Sequence, residues 1–297
     1  MNQITAEDFK EEILKNPAWA TTVSEPTEVR GRCQFQNSTI THLSPLLHFM
    51  GTRWDPTTNF SHCEKLTNAE GHFHGCVNFH RTGIKKIGEL HIHPNPNWET
   101  GPAVSFSECP WIETAEGNFE GCADFSRSGI SRIGNLRITK PDELGWAAHF
   151  CLCTKLQEAR GDFHGAASFS DSGITKIGEL HITAASTSGY AADFTGCKGL
   201  KTAEGNFPGF TDFTASGIEK VAGLTITGKT LIDIQDSEGD IHIPKGIAGA
   251  FIDCNSLHTA PPFLLEKEFL IEHQLRKEIL EKMTRAAMQK NQGQIEI

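Results

Sequence analysis

Residues 115–138 read AEGNFEGCADFSRSGISRIGNLRI. The same pattern stands at 69–92 (AEGHFHGCVNFHRTGIKKIGELHI), 159–182 (ARGDFHGAASFSDSGITKIGELHI) and 203–226 (AEGNFPGFTDFTASGIEKVAGLTI). Successive copies begin 46, 44 and 44 residues apart, and self-similarity at such a period marks a stack of repeated units. Each copy spans two related half-units. One has the form F-x-x-C-x-x-[LI]-x-x-A-x-G-x-F and starts at Phe60, Phe106, Phe150 and Phe194. The other, F-x-x-[ST]-G-I-x-x-[IV]-[GA]-x-L-x-I, starts at Phe79, Phe125, Phe169 and Phe213. Phe35 and Phe251 open two further half-units, making ten with a mean length near 22 residues.

A coil of that length buries its apolar side only against the coils before and after it. The ten opening phenylalanines are therefore expected to stack as one internal ladder. Phe73, Phe119, Phe163 and Phe207, alternating with Ile92, Ile138, Ile182 and Ile226, form a second internal column. Three residues after each ladder Phe comes Ser, Thr or Cys, where a small polar group can bond turn backbone. Column cysteines recur on every second coil, about 9.6 Å apart, beyond the reach of about 7 Å that a disulfide allows. Reduced thiols are the expectation, and with them a cytoplasmic protein, or one exported without a classical signal peptide. The repeated glycines suit either positive φ or close backbone approach at corners.

These half-units resemble leucine-rich repeats, whose L-x-x-N/C-x-(x)-L core is matched by F-x-x-C-x-x-L and F-x-x-S-G-I with Phe for the first Leu. The resemblance covers about residues 33–260. It implies a leucine-rich-repeat-like stack of about ten short coils, with a strand face that binds a partner. No long helical segment fits between strands, so the coils are expected to be thin and β-rich, and a parallel β-helix is the structural alternative. Helical caps close the ends. Thr5 and Asp8 form a capping-box pattern ahead of Phe9 and Ile13 within 1–32. Within 264–297, Ile271, Leu275, Ile279, Met283 and Ala287 recur every four residues in a long helix. The solenoid takes 33–263, including an insertion at 227–250 in which LIDIQDSEGDIHI (231–243) reads as two short strands around a polar turn.

The 297 residues are 38% apolar and carry a formal net charge of −10. No apolar run approaches the roughly 20 residues of a membrane helix, and MNQITAEDFKEEIL lacks a secretory pattern. Acidic balance without a basic block excludes nucleic-acid backbone binding. Residues 264–297 hold 6 basic and 6 acidic side chains, so the solenoid carries the net charge and favours a basic or neutral protein partner.

Three surfaces are candidates. The strand face beside the ladder presents Asn78, His80, Asp124, Asp193 and Asp212, either a binding face or a solvated sheet. The long intervals hold Trp54, Trp98, Trp146 and Tyr190, either loop plugs or an aromatic binding ridge. His72, His74, His91 and His93 flank Phe73 and Ile92 and should form a two-by-two patch. That patch is either solvated surface or a site for zinc or another transition metal; no other cofactor is expected. Catalysis finds little support. Cys151 near His149 lacks an identifiable third group and oxyanion site, and no nucleophile elbow or H-E-x-x-H motif occurs. The expected function is a protein-interaction scaffold, monomeric or dimeric through the C-terminal helix, with a self-associating structural protein as the alternative.

Overall fold

A computed structural model describes residues 1–51, 57–93, 102–235, 242–257, 264, 266–271, 277, 281 and 285. The chain winds as a parallel β-solenoid of about eleven turns with little helix. Each turn gives a short strand to a ten-stranded parallel sheet that runs from Thr58–Asn59 to Phe269–Ile271. A longer strand goes to the opposite face, where sheets of five, four and two strands follow one another. The half-unit read from the sequence is thus one complete turn.

The ladder forms as expected. Neighbouring rings from Phe35 to Phe251 stack with centroids 5.0–5.6 Å apart, and all ten are buried. The separation is close to the strand spacing because identical side chains repeat in register. On the opposite face Phe73 pairs with Ile92, Phe119 with Ile138, Phe163 with Ile182 and Phe207 with Ile226. Phe49 and Val29 continue this column toward the N-terminus.

Two corner features make so short a coil possible. The residue two places after each ladder Phe is left-handed in all ten coils, with φ between 53° and 70°. Glycine fills that place only once, at Gly196. The glycines of S-G-I meet a different need. A Cβ on Gly83, Gly129, Gly173 or Gly217 would lie 2.0–2.2 Å from a carbonyl oxygen of the preceding coil. Close approach, not positive φ, dictates them.

The cysteine column completes the corner. The thiols of Cys63, Cys109, Cys153, Cys197 and Cys254 donate to the carbonyls of Phe35, Phe79, Phe125, Phe169 and Phe213 at 3.0–3.1 Å. Each also meets the Ser or Thr hydroxyl of the coil before at 3.2–3.5 Å. None of the nine cysteines forms a disulfide.

At the N-terminus the helix Ala6–Lys15 is capped by Thr5, whose Oγ1 accepts the Asp8 N–H at 3.0 Å. Phe9 packs on Phe35, Phe49 and Trp19 with centroids 5.0–5.6 Å apart, closing the end of the ladder. The sheets reach past both ends of 33–263. Asn2–Thr5 and Thr27–Arg30 already pair in parallel, so the cap is a helix inserted between two rungs. At the other end, Ile271 lies in the strand Phe269–Ile271, paired with Gly249–Phe251, rather than at the head of a helix. An unpaired last rung would expose its edge, and this strand covers it. Lys277, Glu281 and Arg285 are helical and exposed; Leu275, Ile279, Met283 and Ala287 lie outside the described residues. In the insertion, Ile234–Gln235 pairs antiparallel with His242–Ile243, as the sequence suggests.

Candidate functional site

On the outer side of the ten-stranded sheet, Asn59, Asn78, Ser105, Asp124, His149, Ser168, Asp193 and Asp212 stand side by side in register. Most of this column has one structural role. Asn59, Asn78, Asp124, Asp193 and Asp212 each accept the backbone N–H two residues ahead at 2.8–2.9 Å, which closes the corner. Asn78, His80, Asp124 and Asp193 are half-buried and Asp212 is buried. His80 also bonds Ser107 through Nδ1 at 3.0 Å. The predicted strand-face set is therefore assembled, with side chains folded onto their own backbone.

His149 departs from that pattern, because it bonds the side chain of Cys151. Cys151 in turn meets Ser168 Oγ at 3.2 Å, and Ser168 donates to Asp193 at 3.0 Å. Burial pushes the Cys151 thiol up, yet its bonds to His149, Ser168 and Ser170 outweigh this and leave it below its ordinary range. Burial pulls His149 down, but Cys151 and the carboxylates of Asp124 and Asp142 raise it overall. Beside this pair, one ligand atom each of Cys122, Asp142 and His149 lies within 4.8 Å of the other two. Cys122 is buried, and burial followed by the charges of Asp142 and Asp124 pushes its thiol well up.

The histidine patch is real and larger than expected. His72 stacks on His91 at 4.5 Å and His74 on His93 at 4.7 Å, while His48 stacks on His72 at 4.2 Å. His72 Nδ1 meets His93 Nε2 at 3.3 Å. Burial, then the neighbouring imidazoles, pushes His72 down to about 4. His48 and His74 are lowered too, chiefly by burial. His72 and His93 bring two ring nitrogens together, but no three of the four predicted ligands place nitrogens within 4.8 Å of one another. Among the described residues, the only group with three convergent ligand atoms is Cys122, Asp142 and His149.

Of the aromatic ridge, Trp54 and Trp98 lie outside the described residues. Trp146 and Tyr190 are half-buried with centroids 5.6 Å apart, and Tyr190 packs edge-on against Phe210 at 4.8 Å. Their loops are stitched together: Thr187 N–H donates to Leu144 and Leu231 N–H to Ser188, at 2.8 and 2.9 Å. Leu144, Leu231 and Ile232 on this edge are 58%, 55% and 54% exposed.

No family model, curated protein or solved structure matches this chain. Among the described residues, no helix is long and apolar enough to cross a membrane. Sequence reading missed His48, which lies just past the first recognised half-unit and pairs in register with His72, and missed Cys122 with Asp142. The available signal was positional: in the next full repeat Ala166, Ser186 and Asp193 stand where Cys122, Asp142 and His149 stand here.

Proposed function

We propose that the protein is a binding scaffold that engages a protein partner along the loop edge bearing Trp146 and Tyr190. The exposed aliphatic residues Leu144, Leu231 and Ile232 beside that aromatic pair carry the reading. Three large apolar side chains more than half exposed on one hydrogen-bonded edge have no scaffold duty, and such patches mark interaction surfaces. The strand face is the weaker choice, because its carboxylates and amides already serve the corners. Excess acidic charge on the solenoid favours a basic or neutral partner. Kinship with leucine-rich-repeat proteins is part of the proposal, supported by the F-x-x-C-x-x-L spacing. A reducing compartment is supported by nine cysteines without a disulfide, the five of the column donating to backbone.

The test compares capture from native lysate by the wild type and by the Leu144→Ser/Leu231→Ser double variant. A protein held by the first and lost by the second, with thermal midpoints alike, supports the ridge. Equal capture overturns it. A dimer in light scattering that disappears when residues 272–297 are deleted would replace the scaffold with self-association.

A further inference from the structure

We propose that Cys122, Asp142 and His149 bind one zinc-type divalent transition ion, at a site that goes beyond the scaffold reading. Thiolate, carboxylate and imidazole together suit zinc and sum to two negative charges against the ion's two positive ones. The three come from separate places in the chain. Cys122 precedes the short strand Ala123–Asp124, His149 ends the strand Trp146–His149, and Asp142 lies in the loop that joins the strand Arg132–Ile138 to Trp146–His149.

The repeat itself supplies the control. In the next full repeat, two coils on, Ser186 occupies the place of Asp142 and makes the same turn bond. Ser186 Oγ accepts the Tyr190 N–H at 3.0 Å, as Asp142 Oδ1 accepts the Trp146 N–H at 2.8 Å. Ala166 fills the place of Cys122 and Asp193 that of His149. The scaffold thus needs none of the three ligand types, yet all three occur together across two adjacent coils. Asp142 Oδ1 also accepts the Leu144 N–H at 3.0 Å, which holds the carboxylate in place. Cys122 is 1% exposed and its thiol meets no hydrogen-bond partner among the described residues.

The ligand atoms lie within 4.8 Å of one another, where tetrahedral zinc with these donors sets edges of about 3.3–3.6 Å. Small side-chain rotations bring the three to those edges, with solvent as fourth ligand. It also releases the Cys122 proton to water, so affinity rises with pH. The Trp146 ring lies 5.4 Å from that of His149 and forms one wall of the site.

Purified tag-free protein, stripped with chelator, is titrated with cobalt(II) and then zinc. We expect one equivalent of cobalt with a thiolate-to-metal charge-transfer band, displaced by zinc. Cys122→Ala should lose the band, and Asp142→Ser should weaken zinc binding by at least about 100-fold. Both replacements are residues the next full repeat already uses, so the fold should persist, checked by an unchanged apo-protein thermal midpoint. His72→Ala/His93→Ala should bind as the wild type does, and Cys151→Ser, which alters a bond to the ligand His149, should keep the thiolate band. Absence of binding, a band lost in Cys151→Ser instead, or binding lost in the His72/His93 variant would each overturn the assignment.

Discussion

Asp212 lies beside Asp193 on the adjacent parallel strand, and each accepts the N–H two residues ahead through Oδ1 at 2.9 Å. Strand register thus brings two carboxylates together. Burial first, and the charge of Asp193 second, push Asp212 up to about 7. A folded-state pKa above the unfolded one stabilises below the unfolded value, and that stability is lost as pH rises through the folded value. The wild type should lose stability between about pH 4 and 7 on this account. Asp212→Asn, which copies Asn78, should flatten that loss and stabilise the protein by on the order of 2–4 kcal/mol at pH 8. Thermal midpoints of both proteins from pH 4 to 8 decide it, and parallel curves would refute it.

His72 works in the opposite sense. Its pKa is depressed to about 4 by burial and by neighbouring imidazoles, so its contribution is present above the ordinary value near 6.5 and is lost as pH falls toward 4. His72→Asn should lessen the fall in midpoint between pH 6.5 and 4, and should leave the midpoint at pH 8 nearly unchanged.

Gly173 faces the Thr154 carbonyl, with room for no Cβ: the added atom would lie 2.2 Å from that oxygen. Gly173→Ala should therefore cost about 2–4 kcal/mol, since neither stacked coil can move without disturbing the next. Gly223 makes the comparison, because it has open space around it but a φ of +67°. Gly223→Ala should cost only about 1 kcal/mol. Equal losses in denaturant midpoint would show that crowding at the corner is not the cause.

Leu152 holds a φ of 60° while exposing a large apolar side chain. Asn37 occupies the equivalent place of the first coil, also left-handed. Asn adopts this conformation more readily than a γ-branched residue. Leu152→Asn should raise stability by about 0.5 kcal/mol, read as a small upward shift of the thermal midpoint.

Much of this fold is legible in the chain because a solenoid translates sequence period directly into space. The Phe ladder, the Phe/Ile column, the cysteine column and the His72, His74, His91, His93 patch all follow from counting, since residues one repeat apart become neighbours. The Thr5 cap was readable for a local reason, as its partner Asp8 is three residues away. Ile271 was misassigned because its every-fourth-residue spacing also suits a strand whose alternate residues face inward, and only pairing with Phe251 decides between them. His48 lies outside any copy and joins the patch only through the register of Leu47–Gly51 against Asn68–His74.

By itself, then, the sequence determined the period, the ladder residues and the parallel stacking, because repetition and burial leave a coil of about 22 residues no other way to hide its apolar side. The tertiary structure alone decided what depends on angles and contacts within a coil. It showed that the S-G-I glycines answer to carbonyl crowding and that the polar column caps corners. It also left the stacked imidazoles without three convergent nitrogens, while a loop brought Asp142 to Cys122 and His149. Side-chain convergence is set by rotamers and loop paths, and no period in the sequence encodes those.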